Sequence, residues 1–161
     1  CVIDGVTRYG WIYDVLGGKT AIAASGEGAF YGDEKLRVSD TNRLEEAKGY
    51  ISVKFMPKAV REHYKSVKNS VAHSTLGCSA HEYLRVAQGK ADFAVYHRLK
   101  PWDHLAGALL VQEAGGYVAK WDGAPYVPAD VGGGLIASAN KSIWTSMIDI
   151  FIKPVYTPDR T

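Results

Sequence analysis

The sequence predicts a layered α/β sandwich with a mixed sheet, on three observations. Helical segments alternate with short β-rich runs through the second half of the chain. The first half opens on β-rich runs separated by glycine turns, which predicts an antiparallel start. At 161 residues, 47% hydrophobic and 22% charged, the chain is long and apolar enough to own a core. That composition excludes collagen-like, disordered and disulfide-scaffold classes. No apolar run reaches the roughly 20 residues of a membrane-spanning helix. A formal charge of +2, from 19 basic and 17 acidic residues, points to neither a nucleic-acid nor a membrane partner.

The elements follow in order. Tyr9–Val15 and Lys19–Ser25 are β-rich runs around the Leu16-Gly17-Gly18 turn, a hairpin signal. Ala29–Tyr31 leads through Gly32-Asp33 into a further run, Leu36-Arg37-Val38. Asn42–Lys48 is a short helix candidate ended by Gly49, with Tyr50–Phe55 a strand after it. Pro57 stands where a helix can begin, and Lys58–Val67 carries the helical pattern. Ser70–Ser74 reads as a strand, Ser79–Gln88 as a helix closed by Gly89, and Ala91–Tyr96 as a strand. Asp103–Ala114 is a helix with an apolar face at Leu105, Ala106, Leu109 and Leu110, closed by Gly115-Gly116. Strands Tyr117–Trp121 and Gly134–Ala139 precede a last helix, Lys141–Ile152, stopped before Pro154. Residues 1–154 form one unit in this reading and Val155–Thr161 a surface tail. Glycine is enriched, 17 residues, so many backbone turns are expected.

Two stretches could carry chemistry. In Lys100–Gly116, Asp103 stands at a helix start, where a carboxylate either caps backbone N–H groups or holds a hard cation such as Mg²⁺. On these residues alone the cap is the simpler reading, because one aspartate cannot fix a metal. In Thr75–Ala80, small residues precede a helix, so backbone N–H groups either point at an anion or are capped by Ser79. Cys78 lacks a His and acid arrangement and reads as a small buried side chain. Neither Cys1 nor Cys78 has CxxC or Cys/His metal spacing, which suits a reducing, cytoplasmic environment. The five histidines show no i,i+4 pair; His97 and His104 lie nearest the candidate stretches. Trp102 and Trp121 read as packing residues.

These residues resemble a known family. Trp102-Asp103, Ala106-Gly107, Leu110-Val111 and Glu113-Ala114-Gly115-Gly116 are similar to the C-terminal W-D…A-G…L-V-x-E-A-G-G signature of the inositol monophosphatase family. Gly77–Ala80 with Val86–Asp92 resembles its G-S/T-A-A…V-A-x-G-x-x-D segment, and Gly10–Asp14 with Gly26–Phe30 its G-V-I-Y-D…G-x-G-A-F hairpin. The resemblance keeps its order over nearly the whole chain. It implies a Mg²⁺-dependent, often lithium-sensitive hydrolase of a small phosphate monoester, commonly a homodimer. It makes Asp103 a metal ligand rather than a cap, and Gly77, Cys78 and Ser79 substrate contacts.

Three departures argue against taking inositol phosphate as the substrate. Tyr96 occupies the substrate-binding position where inositol-type enzymes have a hydroxyl-binding glutamate. Cys78 stands where Ser, Thr or Ala is usual, and Ser74 where an arginine is frequent. The family's G-E-E and D-P-x-D-G-T metal-binding motifs do not occur in residues 1–161. Asp4-Gly5 imitates the second one, but its place just before the first hairpin makes it a turn. The chain, opening on Cys1, is therefore expected to be the C-terminal part of such an enzyme and inactive alone. The alternative is a non-catalytic dimerisation or ligand-binding domain of the same fold.

Overall fold

Strands β1 (Val2–Ile3) and β2 (Val6–Thr7) pair through Asp4 and Gly5, whose φ values of +50° and +75° suit a tight two-residue hairpin turn. Asp4-Gly5 is a turn, as its position predicted. The computed structural model of the chain describes residues 1–156. β3 (Tyr9–Asp14), β4 (Lys19–Ala24), β5 (Gly28–Tyr31) and β6 (Glu34–Lys35) form an antiparallel four-stranded sheet in sequence order. The predicted run at residues 36–38 is not a strand. Its amides are drawn apart, Leu36 N–H bonding Ala29 O at 2.8 Å and Val38 N–H bonding Ala114 O at 3.1 Å.

The remaining strands form a mixed sheet: β7 (Lys48–Ile51), β8 (Ala72–Ser74), β9 (Phe93–Tyr96), β10 (Tyr117–Lys120) and β11 (Leu135–Ser138), in the order β10-β11-β9-β7-β8. β7 is parallel to both β8 and β9, and the other pairs are antiparallel. The predicted helix at 42–48 shrinks to a 3₁₀ turn, Leu44–Glu46, because Lys48 is already committed to the sheet. Its N–H donates to the buried Asp92 carboxylate at 2.8 Å, and its carbonyl accepts the Asp92 N–H at 2.7 Å. Gly49 accordingly ends no helix. It lies inside β7, where a Cβ would strike Phe93 on the neighbouring strand. β7 also ends earlier than predicted, at Ile51, and residues 52–55 form a loop.

Four helices complete the fold: α1 (Lys58–Val67), α2 (Ser79–Ala87), α3 (Pro101–Glu113) and α4 (Lys141–Met147), which runs on into a π-helical turn, Ile148–Ile152. Asn140 caps α4 by accepting the Ile143 N–H at 3.1 Å. The strand period of two divides the core. Ala94 and Tyr96 of β9 join a cluster with α2, α3 and the four-stranded sheet. Phe93 and Val95 join a second cluster with Met56, Val60 and the α4 segment. The order of layers is thus sheet, helix pair α2/α3, mixed sheet, helix layer. Tyr156 packs its ring against Trp121 at 5.1 Å; the rest of the expected tail, residues 157–161, lies outside the described residues. Among the described residues no helix is long and apolar enough to cross a membrane.

α3 is not the one-faced helix its pattern suggested. Held between two layers, it buries Gly107, Ala108, Leu109, Leu110 and Val111 in succession. Such a position demands close approach on two sides. A Cβ at Gly107 would run into the Tyr83 ring of α2, and one at Gly10 of β3 would meet Ala106 Cα at 2.9 Å. Glu113 ties the far end of the helix to the β4–β5 turn by accepting the N–H groups of Gly26 and Gly28 at 2.8 and 2.9 Å. Gly107→Ala should therefore destabilise the fold by roughly 1–3 kcal/mol through overpacking. Urea denaturation reads the shift in midpoint; an unchanged midpoint would mean that α2 and α3 have room to spare.

Candidate functional site

Because β8, β7 and β9 run the same way, their carboxyl ends lie together at one end of the mixed sheet. The chain leaves β7 into the loop 52–57, β8 into the loop 75–78 and α2, and β9 into the loop 97–100 and α3. These loops and the N-termini of α2 and α3 line a cavity of about 640 Å³. Open α/β sheets place ligand sites at the carboxyl ends of parallel strands, and helix N-termini favour anions there.

Asp103 lies on this wall, exposed, in the first turn of α3. It is not the cap: Lys100 is the N-cap residue and Pro101 the first helical residue. Among the described residues no hydrogen bond or ion pair engages the Asp103 carboxylate. Its backbone carbonyl accepts the Ser79 hydroxyl at 2.9 Å, which joins the two helix starts. Ser79 is therefore not a cap either. Cys78 holds the N-cap position of α2 without a side-chain bond, and its thiol is free and exposed rather than buried. Gly77 turns with φ +67° and donates its N–H to Thr75 Oγ1 at 3.2 Å. Gly77, Cys78, Ser79, Tyr96 and Asp103 thus share one cavity wall. Trp102, expected to pack, is 79% exposed there, whereas Trp121 is buried as expected.

The residue that sequence reasoning missed is Glu82, a carboxylate on α2 only 2% exposed. One oxygen accepts the Leu76 N–H at 2.8 Å and the Thr75 hydroxyl at 3.1 Å; the other accepts the Tyr96 hydroxyl at 2.8 Å. The signal available was the spacing Ser79-x-x-Glu82, a helix-start pattern in which an acid reaches back to amides. Here it reaches past the helix start to residues 75 and 76. Tyr96 in consequence turns its hydroxyl to Glu82, and burial together with that neighbouring carboxylate holds its pKa well above the phenol range. The Tyr96 ring packs on Tyr83 and His104 at 5.1 and 4.8 Å.

His104 continues the network. The Arg98 carbonyl, 3.0 Å from His104 Nε2, can only accept, so Nε2 carries the proton. Nδ1 of the neutral ring then accepts the Tyr83 hydroxyl at 2.9 Å. Burial pushes the His104 pKa below its ordinary value, and burial likewise keeps the Tyr83 proton in place.

A hard oxygen donor such as the Asp103 carboxylate suits Mg²⁺. Among the described residues, however, no three His, Cys, Asp or Glu side chains converge to hold a metal ion. The residues present offer one ligand and do not complete a cation site.

An exposed carboxylate thus stands beside two helix N-termini at the carboxyl ends of parallel strands, the place where open α/β sheets carry ligand sites. The sequence model of the inositol monophosphatase family matches residues 1–151, and the chain belongs to that family. It is 34% identical over 124 residues to the fructose-1,6-bisphosphatase/inositol-1-monophosphatase of Thermotoga maritima, a match covering 76% of this chain and 47% of that protein. With the inositol-1-monophosphatase of Bacillus subtilis it shares 32% over 127 residues, covering 76% and 48%. The structure of inositol monophosphatase from Anabaena matches with a TM-score of 0.83 at 25% identity, over 99% of this chain and 65% of that one. The chain spans about half the length of the curated relatives it matches.

The depressed His104 pKa has a measurable consequence. Between the folded pKa and the ordinary value of 6.5, the folded state binds fewer protons than the unfolded state. The stability that neutral His104 contributes is fully present above pH 6.5 and is lost as pH falls through the folded pKa. Urea midpoints should therefore decline from about pH 7.5 to about pH 5, and decline less in His104→Gln. An identical decline in the variant would remove His104 as its source.

Proposed function

We propose that this chain forms one wall of the active site of a Mg²⁺-dependent hydrolase acting on a small phosphate monoester. The observation that carries the reading is the exposed, unengaged Asp103 carboxylate on a cavity wall shared with the N-terminus of α2. In this reading Asp103 is one metal ligand, and the remaining ligands come from polypeptide outside residues 1–161. A bound divalent ion would supply an activated water and neutralise charge on the phosphate and leaving oxygen. The chain's own residues do the positioning. The Cys78 and Ser79 amides, brought to the cavity by the turn at Gly77, receive the phosphate oxygens, where the helix end favours negative charge. Tyr96, its hydroxyl donated to Glu82, presents a ring to the substrate where inositol-type enzymes present a carboxylate. That exchange favours a substrate other than inositol phosphate. The two free cysteines support a reducing, cytoplasmic location, and kinship with the family supports a homodimer.

Two assays test this. Residues 1–161 alone should release no phosphate from inositol 1-phosphate or other phosphomonoesters with Mg²⁺; measurable turnover would contradict the one-ligand reading. In a protein carrying the complete ligand set, Asp103→Asn should lower kcat/KM by roughly 100-fold or more, since a metal ligand supports several kcal/mol of transition-state stabilisation. Circular dichroism should show the fold unchanged. Full activity in Asp103→Asn would remove Asp103 from the metal site, and no turnover even with the complete ligand set would favour the alternative, a non-catalytic ligand-binding or dimerisation domain.

A further inference from the structure

Two cations on the cavity wall have no part in the arrangement above. Lys54 comes from the loop after β7 and Arg98 from the loop after β9, and both are exposed. They meet on one ring: the Arg98 guanidinium lies 3.8 Å from the centroid of Phe55 and Lys54 Nζ lies 5.2 Å from it. Phe55 itself is 42% exposed. Among the described residues no carboxylate pairs with either cation; the ion pairs found lie elsewhere, as between Lys120 and Asp130 or Lys65 and Glu62. Of the two acids on the cavity wall, Glu82 already accepts three hydrogen bonds, and Asp103 stands at the start of α3.

Two like charges held against one aromatic ring repel each other, and a bound anion relieves that repulsion. Stacking occupies the flat face of a guanidinium and leaves its N–H edge for bidentate bonds to phosphate or carboxylate. The cavity, about 640 Å³, is of a size that holds a phosphorylated metabolite with a second charged end.

We propose that Lys54 and Arg98, steadied by Phe55, form a second anion subsite, so that the substrate is a small phosphate monoester bearing a further anionic group, phosphate or carboxylate. This rests on the phosphomonoesterase reading, which places the ester phosphate against Gly77, Cys78 and Ser79. Ligands matched except at the second group test it: glucose 1-phosphate, glucose 1,6-bisphosphate and glucuronic acid 1-phosphate, titrated into the 161-residue chain with Mg²⁺ and followed by amide NMR. The two doubly charged ligands should bind at least about tenfold tighter than glucose 1-phosphate, by a margin that shrinks with salt. Whichever of the two binds tighter identifies the second group. Arg98→Ala and Lys54→Ala should each reduce the margin, and the double variant should abolish it while leaving glucose 1-phosphate binding unchanged. Equal affinities, a margin that survives in the double variant, or no saturable binding of either doubly charged ligand up to about 10 mM would overturn the subsite. Amide shifts at Gly77, Cys78 and Ser79 separate the two claims. Shifts there without a preference for the second anion overturn the subsite alone. A preference that needs Lys54 and Arg98, without those shifts, keeps a second-anion site and overturns the phosphomonoesterase reading.

Discussion

The carboxylate of Glu82 holds together three pieces of chain that would otherwise diverge at the end of the mixed sheet. It sits on α2, takes hydrogen bonds from Thr75 and Leu76 after β8, and takes another from Tyr96 at the end of β9. A carboxylate so deeply buried is costly unless its oxygens are satisfied, and three charge-assisted bonds offset that cost. Because all three bonds meet on one carboxylate, movement of the loop, the helix or the strand would break at least one of them. Tyr96 passes this constraint to Tyr83 and His104 by packing, and His104 passes it to the backbone of Arg98. The loop before α2 and the loop before α3 are thereby held in one register, and the Ser79 hydroxyl on the Asp103 carbonyl closes the circuit.

Around that network the fold keeps α2 and α3 in place. α3 is buried on nearly every side, between the four-stranded sheet and α2, and glycine at positions 10 and 107 permits the approach. The rigid part of the molecule thus ends where the two helices begin, and the exposed side chains at those ends, Asp103 and Cys78, stand on a supported frame. A ligand site needs this kind of backing, because a mobile loop would spend the binding energy on its own ordering.

Much of this was legible in the sequence, and the reasons for the failures are physical. The hairpin at residues 9–24, the helix after Pro57, the α2 and α3 segments and the Asp4-Gly5 turn followed from local pattern and turn chemistry. The segment Asn42–Lys48 did not, because a non-local partner, Asp92, claims Lys48 for the sheet before a helix can extend. Gly49 looked like a helix stop but answers to Phe93, distant in sequence. Ser79 and Asp103 both carried the signature of caps, and neither caps; their roles depend on each other across 24 residues. Glu82 gave only a helix-start spacing after Ser79, and nothing in that spacing announces that its carboxylate is buried. Trp102 is the converse, a large ring left in the open beside the cavity.

The proposed function stands or falls on the Asp103 carboxylate, unengaged on the cavity wall, taking a cation. Titrating Mn²⁺ into the ¹⁵N-labelled chain tests it directly, since paramagnetic broadening registers even a weakly held ion. Broadening should begin at Asp103 and the Gly77, Cys78 and Ser79 amides across the cavity wall and disappear in Asp103→Asn. Broadening centred elsewhere, or unchanged by that substitution, would contradict it.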